Sequence, residues 1–107
     1  MDIHFNSDNA VEGTSELATE VRDRIRDRLD TRFGSRLTRI EVHVRDIDGT
    51  SNRADGIEAM IEARPANGDP VAVTGNGADP MQAVNAALGP MVSRLDAMFG
   101  KADRHRQ

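Results

Sequence analysis

The spacing of apolar residues alternates between two periods along the chain, and this restricts the fold more than any other feature. Apolar side chains recur every second residue in four short segments, which predicts β-strands at residues 2–7, 37–45, 56–64 and 71–74. They recur every three or four residues in two longer segments, which predicts helices at residues 15–33 and from residue 79 onward. The predicted order is therefore strand, helix, three strands, helix.

Each predicted strand has one apolar face and one polar face. In residues 37–45, for example, Ile40, Val42 and Val44 alternate with the polar Glu41 and His43. One face of the sheet must therefore be covered, and the two amphipathic helices are the only elements that can cover it. We expect an α+β fold of order β-α-β-β-β-α, a four-stranded sheet with both helices packed on one face and the other face open to solvent.

Capping residues mark the helix ends. A hydroxyl at Thr14 or Ser15 can cap the start of the first helix, and Gly34 suits its C-cap. The strongest periodic pattern in the chain is the apolar stripe of this helix, formed by Leu17, Val21, Ile25 and Leu29.

The second helix begins with stronger signals and contains an interruption. Asp79 can cap it, Pro80 suits its first position, and Gln82 completes a capping box. The interior pair Gly89-Pro90 predicts either a kink or two shorter helices.

The remaining segments are predicted as connections within a single domain. Residues 46–55 read as a polar loop, residues 65–70 as a hairpin connection, and residues 75–78 as a loop before the second helix. At 107 residues the chain fits one domain, assigned to residues 1–101, followed by a polar C-terminal tail at 102–107.

No group of residues suggests catalysis, a metal or a cofactor. The chain has no cysteine, and His4, His43 and His105 lack ligand spacing, so they are read as surface histidines. Gly75-Asn76-Gly77 lacks the third glycine and the Lys-Ser/Thr pair of phosphate-binding loops, and turn glycines are the simpler interpretation. We therefore predict no catalytic residue, no cofactor, no metal site and no small-molecule substrate. Without a signal peptide or an apolar run of about 20 residues, we expect a cytoplasmic protein and no membrane partner.

Charge is distributed very unevenly. The formal net charge is −4, but residues 22–39 hold seven arginines and three aspartates, a local balance of +4, so the other residues sum to −8. A basic segment of this kind can bind a polyanion through one face, because only charges within about a Debye length act on the ligand.

Arginines of this segment are the candidate binding residues. Arg24, Arg28 and Arg32 repeat every four residues along one flank of the first helix, and the positive run continues towards the second strand. Two interpretations remain open: a solvated flank whose arginines pair with Asp23, Asp27 and Asp30, or a ridge that contacts phosphates. The full predicted set comprises Arg24, Arg28, Arg32, Arg36, Arg39, Arg45, Arg94 and Lys101.

Three sequence blocks resemble one known family. They are Ile3-His4-Phe5 with residues 9–17, the stretch at residues 39–44, and residues 78–87, which include Asp79-Pro80-Met81-Gln82. Together with the element order, they resemble the ribosome hibernation-promoting factors and ribosome-associated inhibitors, in the short form that ends after the second helix.

The resemblance implies a non-enzymatic protein that binds the small ribosomal subunit through ribosomal RNA backbone. Such a protein occludes the messenger and transfer RNA sites under stress or in stationary phase, and no DNA binding is expected. The alternative is a protein-interaction module that keeps this fold and has lost ribosome binding. The acidic net charge and the nearly uncharged second helix motivate that alternative.

Overall fold

The computed structural model describes residues 1–8, 14–47 and 56–104, and the side chains as far as residue 101. Six elements follow one another in these ranges: β1 (Asp2–Ser7), α1 (residues 15–33), β2 (Leu37–Asp46), β3 (Ile57–Pro65), β4 (Val71–Gly77) and α2 (Pro80–Arg104). The predicted α+β order is confirmed. Most of the polar loop predicted at 46–55, part of the block at 9–17, His105 and the last residues of the tail lie outside the described residues.

The four strands form one mixed sheet in the order β1-β2-β3-β4. β1 runs parallel to β2, with Asp2 opposite Arg39, whereas the β2–β3 and β3–β4 pairs are antiparallel. Parallel neighbours need a long crossover, and α1 supplies it. The antiparallel strands β3 and β4 are joined through residues 66–70, which confirms the predicted hairpin connection.

Both helices cover the same face of the sheet. Ile40, Val42 and Val44 of β2 are fully buried beneath them, while the alternating residues His43 and Arg45 are exposed. The core is aliphatic apart from Phe33 and Phe99 at its margin, and no polar side chain is buried in the described part of the chain. In the same ranges, no helix is both long enough and apolar enough to cross a membrane.

A π-helical segment interrupts α1. The helix begins as Ser15–Ile25, widens to the π-helix Arg26–Asp30, and ends with the α-turn Thr31–Phe33. At about 100° per residue, Phe33 would lie about 160° around the helix from Leu17, because sixteen residues are not a whole number of α-helical turns. The wider turn absorbs one residue and returns Phe33 to the core, where it is 7% exposed.

The helix ends are capped as the sequence predicts. The backbone N–H of Leu17 donates to Thr14 Oγ1 at 3.0 Å, and Gly34 caps the other end of α1 with a φ of 56°. At the start of α2, the N–H of Gln82 donates to Asp79 Oδ1 at 2.9 Å. Gln82 Oε1 accepts from the N–H of Ala78 at 3.1 Å, so the return bond of the predicted capping box goes to the residue before the cap and not to Asp79 itself.

Two details of the C-terminal half correct the sequence predictions. α2 is one continuous helix with Pro90 inside it, so of the two alternatives predicted at Gly89-Pro90, a kink or two shorter helices, the two shorter helices are wrong. Gly89, the residue before the proline, has no Cβ to clash with the proline ring, which eases the helical backbone there.

The loop predicted at residues 75–78 is also wrong, because β4 continues to Gly77. A Cβ built on Gly75 would lie 2.7 Å from the Ala83 carbonyl oxygen, and one on Gly77 would lie 2.7 Å from the Ala83 nitrogen. These glycines are therefore strand residues that let the backbone of α2 approach β4 closely.

Candidate functional site

The arginines of α1 lie on the helix-covered side of the domain. Arg24 lines a shallow groove between α1 and the start of α2, together with Met81 and the acidic Glu20, Asp23 and Asp27. Arg24 is exposed and Arg28 half-buried, and neither forms an ion pair within residues 1–8, 14–47 and 56–104. Their guanidinium groups are therefore available to an external anion.

Pairing between the arginines and aspartates of α1 is limited. In the described part of the chain, the single ion pair within the helix joins Arg26 to Asp23 at 3.7 Å, and both side chains are more than half exposed. An exposed pair of this length contributes little. The interpretation of the flank as a set of mutually paired side chains therefore has weak support, and Asp27 and Asp30 form no ion pair with these arginines.

Arg32 joins the two helices. Its Nε and Nη2 donate to the two carboxylate oxygens of Asp96 on α2, at 2.9 and 2.7 Å. These hydrogen bonds hold the pKa of the Asp96 carboxyl below its ordinary value and raise the pKa of the Arg32 guanidinium. The bidentate arrangement fixes the side chain, so Arg32 must leave Asp96 before it can bind a phosphate with the same donors.

Arg36 packs on an aromatic pair. Its guanidinium carbon lies 4.0 Å from the centroid of the Phe99 ring, and that ring lies 5.5 Å from the Phe33 ring. A cation over an aromatic face is held there by the ring quadrupole. Arg36 thus stays on the helix side of the domain, beside the C-terminal half of α2.

Arg39 and Arg45 lie on the opposite, open face of the sheet. Each pairs with a glutamate: Arg39 with Glu41 at 2.7 Å, and Arg45 with Glu58 at 2.9 Å. The sheet and the core separate them from Arg24 and Arg28. The predicted positive run is therefore divided between two faces that cannot contact the same row of phosphates.

The rest of the open face is also of mixed charge. Arg64 lies 3.1 Å from Glu62 and 4.0 Å from Glu41, and the exposed histidines His4 and His43 lie on this face. The Nε of Arg39 is buried and has no hydrogen-bond partner in the described residues. With positive and negative groups alternating, this face presents no basic patch.

The two predicted basic residues of α2 differ in their surroundings. Arg94 reaches the edge of the sheet, where its Nη1 donates to the Ala72 carbonyl oxygen at 2.9 Å. Lys101 is exposed near the end of the helix. The sequence did not predict the partners of Arg32, Arg36 and Arg94, which are Asp96, Phe99 and Ala72. Only Asp96 could have been identified as a partner, because it is an acidic residue on an otherwise nearly uncharged stretch of α2.

The structure thus brings Arg24, Arg28, Arg32 and Arg36 to the helix side and places Arg39 and Arg45 elsewhere. Within the described residues, no three histidine, aspartate or glutamate side chains gather in a metal-binding arrangement.

Comparisons with known proteins give a likeness of structure. Neither a protein-family model nor a curated protein sequence matches the chain. A ribosomal subunit interface protein from Coxiella burnetii superposes with a TM-score of 0.71 over 94% of this chain and 99% of that one, at 11% sequence identity.

The N-terminal domain of Protein Y from Thermus thermophilus superposes with a TM-score of 0.70 at 20% identity. This match covers 92% of the present chain and 99% of the Protein Y domain. At these identities the likeness establishes the fold, and the fold that the sequence resemblance implies is confirmed. The chain therefore has the fold of a ribosomal subunit interface protein and of the Protein Y N-terminal domain.

Proposed function

We propose that this chain is a non-enzymatic, ribosome-associated protein of the cytoplasm that binds the small subunit and occludes the messenger and transfer RNA sites. The observation that carries the proposal is the near-complete superposition on a protein described as a ribosomal subunit interface protein. Arg24 and Arg28, which form no ion pair with another described residue, supply groups that can bind RNA backbone, since a guanidinium matches phosphate oxygens with a planar fork of donors.

The helix side is the RNA-facing side in this proposal. Arg24 and Arg28 make the first phosphate contacts because they have no ion pair to break among the described residues, and the exposed Lys101 adds a third charge. Arg32 and Arg36 lie on the same side but are held by Asp96 and the Phe99 ring. The paired arginines of the open face contribute less, because each phosphate contact there requires separation from a glutamate.

Ribosome co-sedimentation at low and moderate salt tests the proposal. The protein is expected in the ribosome pellet at low salt and to be released progressively as salt rises, because phosphate contacts release counterions. Recovery in the supernatant at both salt concentrations contradicts the proposal. In a reconstituted translation reaction, the protein that pellets with ribosomes is expected to lower the yield.

Single substitutions locate the contacts. Arg28→Ala is expected to reduce the slope of log affinity against log salt by about one unit, the loss of one phosphate contact. Arg64→Ala removes the same charge from the open face and is expected to leave the slope unchanged. Equal effects of the two substitutions would contradict the assignment of RNA binding to the helix side.

A second function is favoured by the exposed side of α2. The segment that contains Gly89, Pro90 and Ser93 carries no charge, and Arg94 is engaged with the sheet edge. In this second function, the chain keeps the fold but acts as a protein-interaction module without affinity for the ribosome. A pull-down that recovers a specific protein without ribosomal RNA would support this function, and ribosomal RNA in the eluate would exclude it.

A further inference from the structure

β4 is the outermost strand on one side of the sheet. Among the described strands it pairs with β3 alone, in continuous register from Ala63 opposite Val71 to Ile57 opposite Gly77. An outermost strand presents a row of backbone donors and acceptors that another strand can bind.

The contact with Arg94 identifies which backbone groups face this edge. The Ala72 carbonyl accepts from Arg94 Nη1 at 2.9 Å. Because backbone groups of successive residues in an antiparallel strand point to opposite sides, those of Val73 face β3 and those of Thr74 share the outward direction of Ala72.

Within its own residues, β4 lacks the charges, prolines and bulges that usually protect an edge strand. Natural edge strands carry charged residues, prolines or bulges that prevent pairing with another chain. The seven residues of β4, VAVTGNG, include no charged residue and no proline, and the β3–β4 pairing has no register shift. The opposite edge strand, β1, contains Asp2 and His4. Arg94 places a polar side chain at the β4 edge, on the Ala72 carbonyl.

We propose that β4 is a strand-addition interface that pairs two copies of this chain, and that Arg94 restrains the pairing by occupying the Ala72 carbonyl. A second copy fits this edge because two uncharged β4 strands can pair antiparallel about a two-fold axis without placing like charges opposite each other. A charged peptide would find no complementary side chain on β4. The outward groups of Ala72 and Thr74 in one copy then meet those of Thr74 and Ala72 in the other.

Analytical ultracentrifugation of the full chain over a range of concentrations tests this interface. Arg94→Ala frees two carbonyls per dimer, and its dimer dissociation constant is expected to fall roughly tenfold or more relative to the wild type. The substitution makes a chain of net charge −4 one unit more negative, so electrostatic repulsion would act against this result. Arg26→Ala, which removes a charge from α1, is the matched control and is expected to give no such fall.

Two further variants block the edge. Thr74→Pro removes an outward N–H that β3 does not use, and Ala72→Glu places like charges close together across the two-fold axis. Introduced into Arg94→Ala, each is expected to restore the monomer, with circular dichroism used to verify that the variant is folded. Hydrogen exchange at the Thr74 amide is expected to slow with concentration in Arg94→Ala. If Arg94→Ala is monomeric up to about 1 mM, or if its dimer persists in the folded Ala72→Glu variant, the interface is elsewhere or absent.

Discussion

Because β4 and α2 are in close contact, a side chain added at Gly75 is expected to destabilise the fold. Substitution of Gly75 by alanine places a Cβ closest to the Ala87 nitrogen, and 2.7 Å from both the Ala83 carbonyl oxygen and the Ala86 carbonyl carbon. These distances are about 0.7 Å short of the 3.4 Å at which ordinary contact begins. All three neighbouring atoms belong to the helix backbone, so no side-chain rotation relieves the overlap, and α2 must move away from the sheet.

The cost follows from two opposing effects. Overpacking of a well-packed core costs about 1–3 kcal/mol, and the reduced flexibility of the unfolded chain returns about 0.4–1 kcal/mol. Gly75→Ala is therefore expected to lower the free energy of unfolding by about 1–2 kcal/mol, which corresponds to a fall in Tm of roughly 5–10 °C.

Urea unfolding followed by far-ultraviolet circular dichroism measures the effect, because a chain without tryptophan or tyrosine offers no useful intrinsic fluorescence. Gly100→Ala is the control: its Cβ would meet no atom within 4 Å in α2, and replacing a helical glycine is expected to stabilise by up to about 1 kcal/mol. If Gly75→Ala unfolds at the same or a higher urea concentration than the wild type, the close approach of α2 to β4 is not as described.

Three other substitutions test the helices and their contacts. Arg32 lowers the pKa of the Asp96 carboxyl, so the Asp96 carboxylate stabilises the fold at pH values above its ordinary pKa of 3.8, and this contribution is lost as pH falls below that value. In urea titrations, the difference in stability between the wild type and Asp96→Asn is therefore expected to shrink between pH 7 and pH 3. Phe99→Leu removes both the ring contact with Phe33 and the aromatic face under Arg36, so the free energy of unfolding is expected to fall by about 1–2 kcal/mol in the same assay. An unchanged midpoint of urea unfolding would show that the ring contacts contribute nothing. Gly89→Ala gains helix propensity but adds a Cβ against the following proline ring, so its Tm is expected to rise less than that of Gly100→Ala. An equal rise in the Tm of both variants would contradict a clash with the proline ring.

Features determined by neighbouring residues were predictable from the sequence. The predicted cap Asp79 accepts from the N–H of Gln82 three residues later, while the Gln82 side chain bonds back to Ala78 instead of Asp79. The alternation of apolar and polar residues in β2 and the apolar stripe of α1 likewise indicate which side of each element is buried. Local patterns of this kind are sufficient to predict the order of the elements and the covered face.

The π-helical segment was not predicted, although the sequence carries a signal for it. Leu17, Val21, Ile25, Leu29 and Phe33 repeat every four residues without the three-residue step that a 3.6-residue helix needs to remain on one face. A strict four-residue repeat over this length requires a wider turn, and Arg26–Asp30 provides it.

The errors concern residues whose environment depends on distant parts of the chain. Gly75 and Gly77 have the composition of a turn, but tertiary packing against α2 makes them strand residues. The sequence left Arg32 either paired with an aspartate of its own helix or open to a phosphate, whereas its partner Asp96 lies 64 residues away in the sequence. Spacing along one helix places an arginine on a flank but does not identify what faces it from another element.

The parallel pairing of β1 with β2 has a consequence for the order in which the chain folds. Asp2 pairs with Arg39, whereas Ala63 in β3 pairs with Val71 only eight residues later. Closing the longer loop costs more entropy, and during synthesis β1 emerges before its partner exists. We therefore expect β3, β4 and α2 to form the early folding nucleus in refolding from denaturant, with β1 joining late at the edge of a sheet that is already assembled.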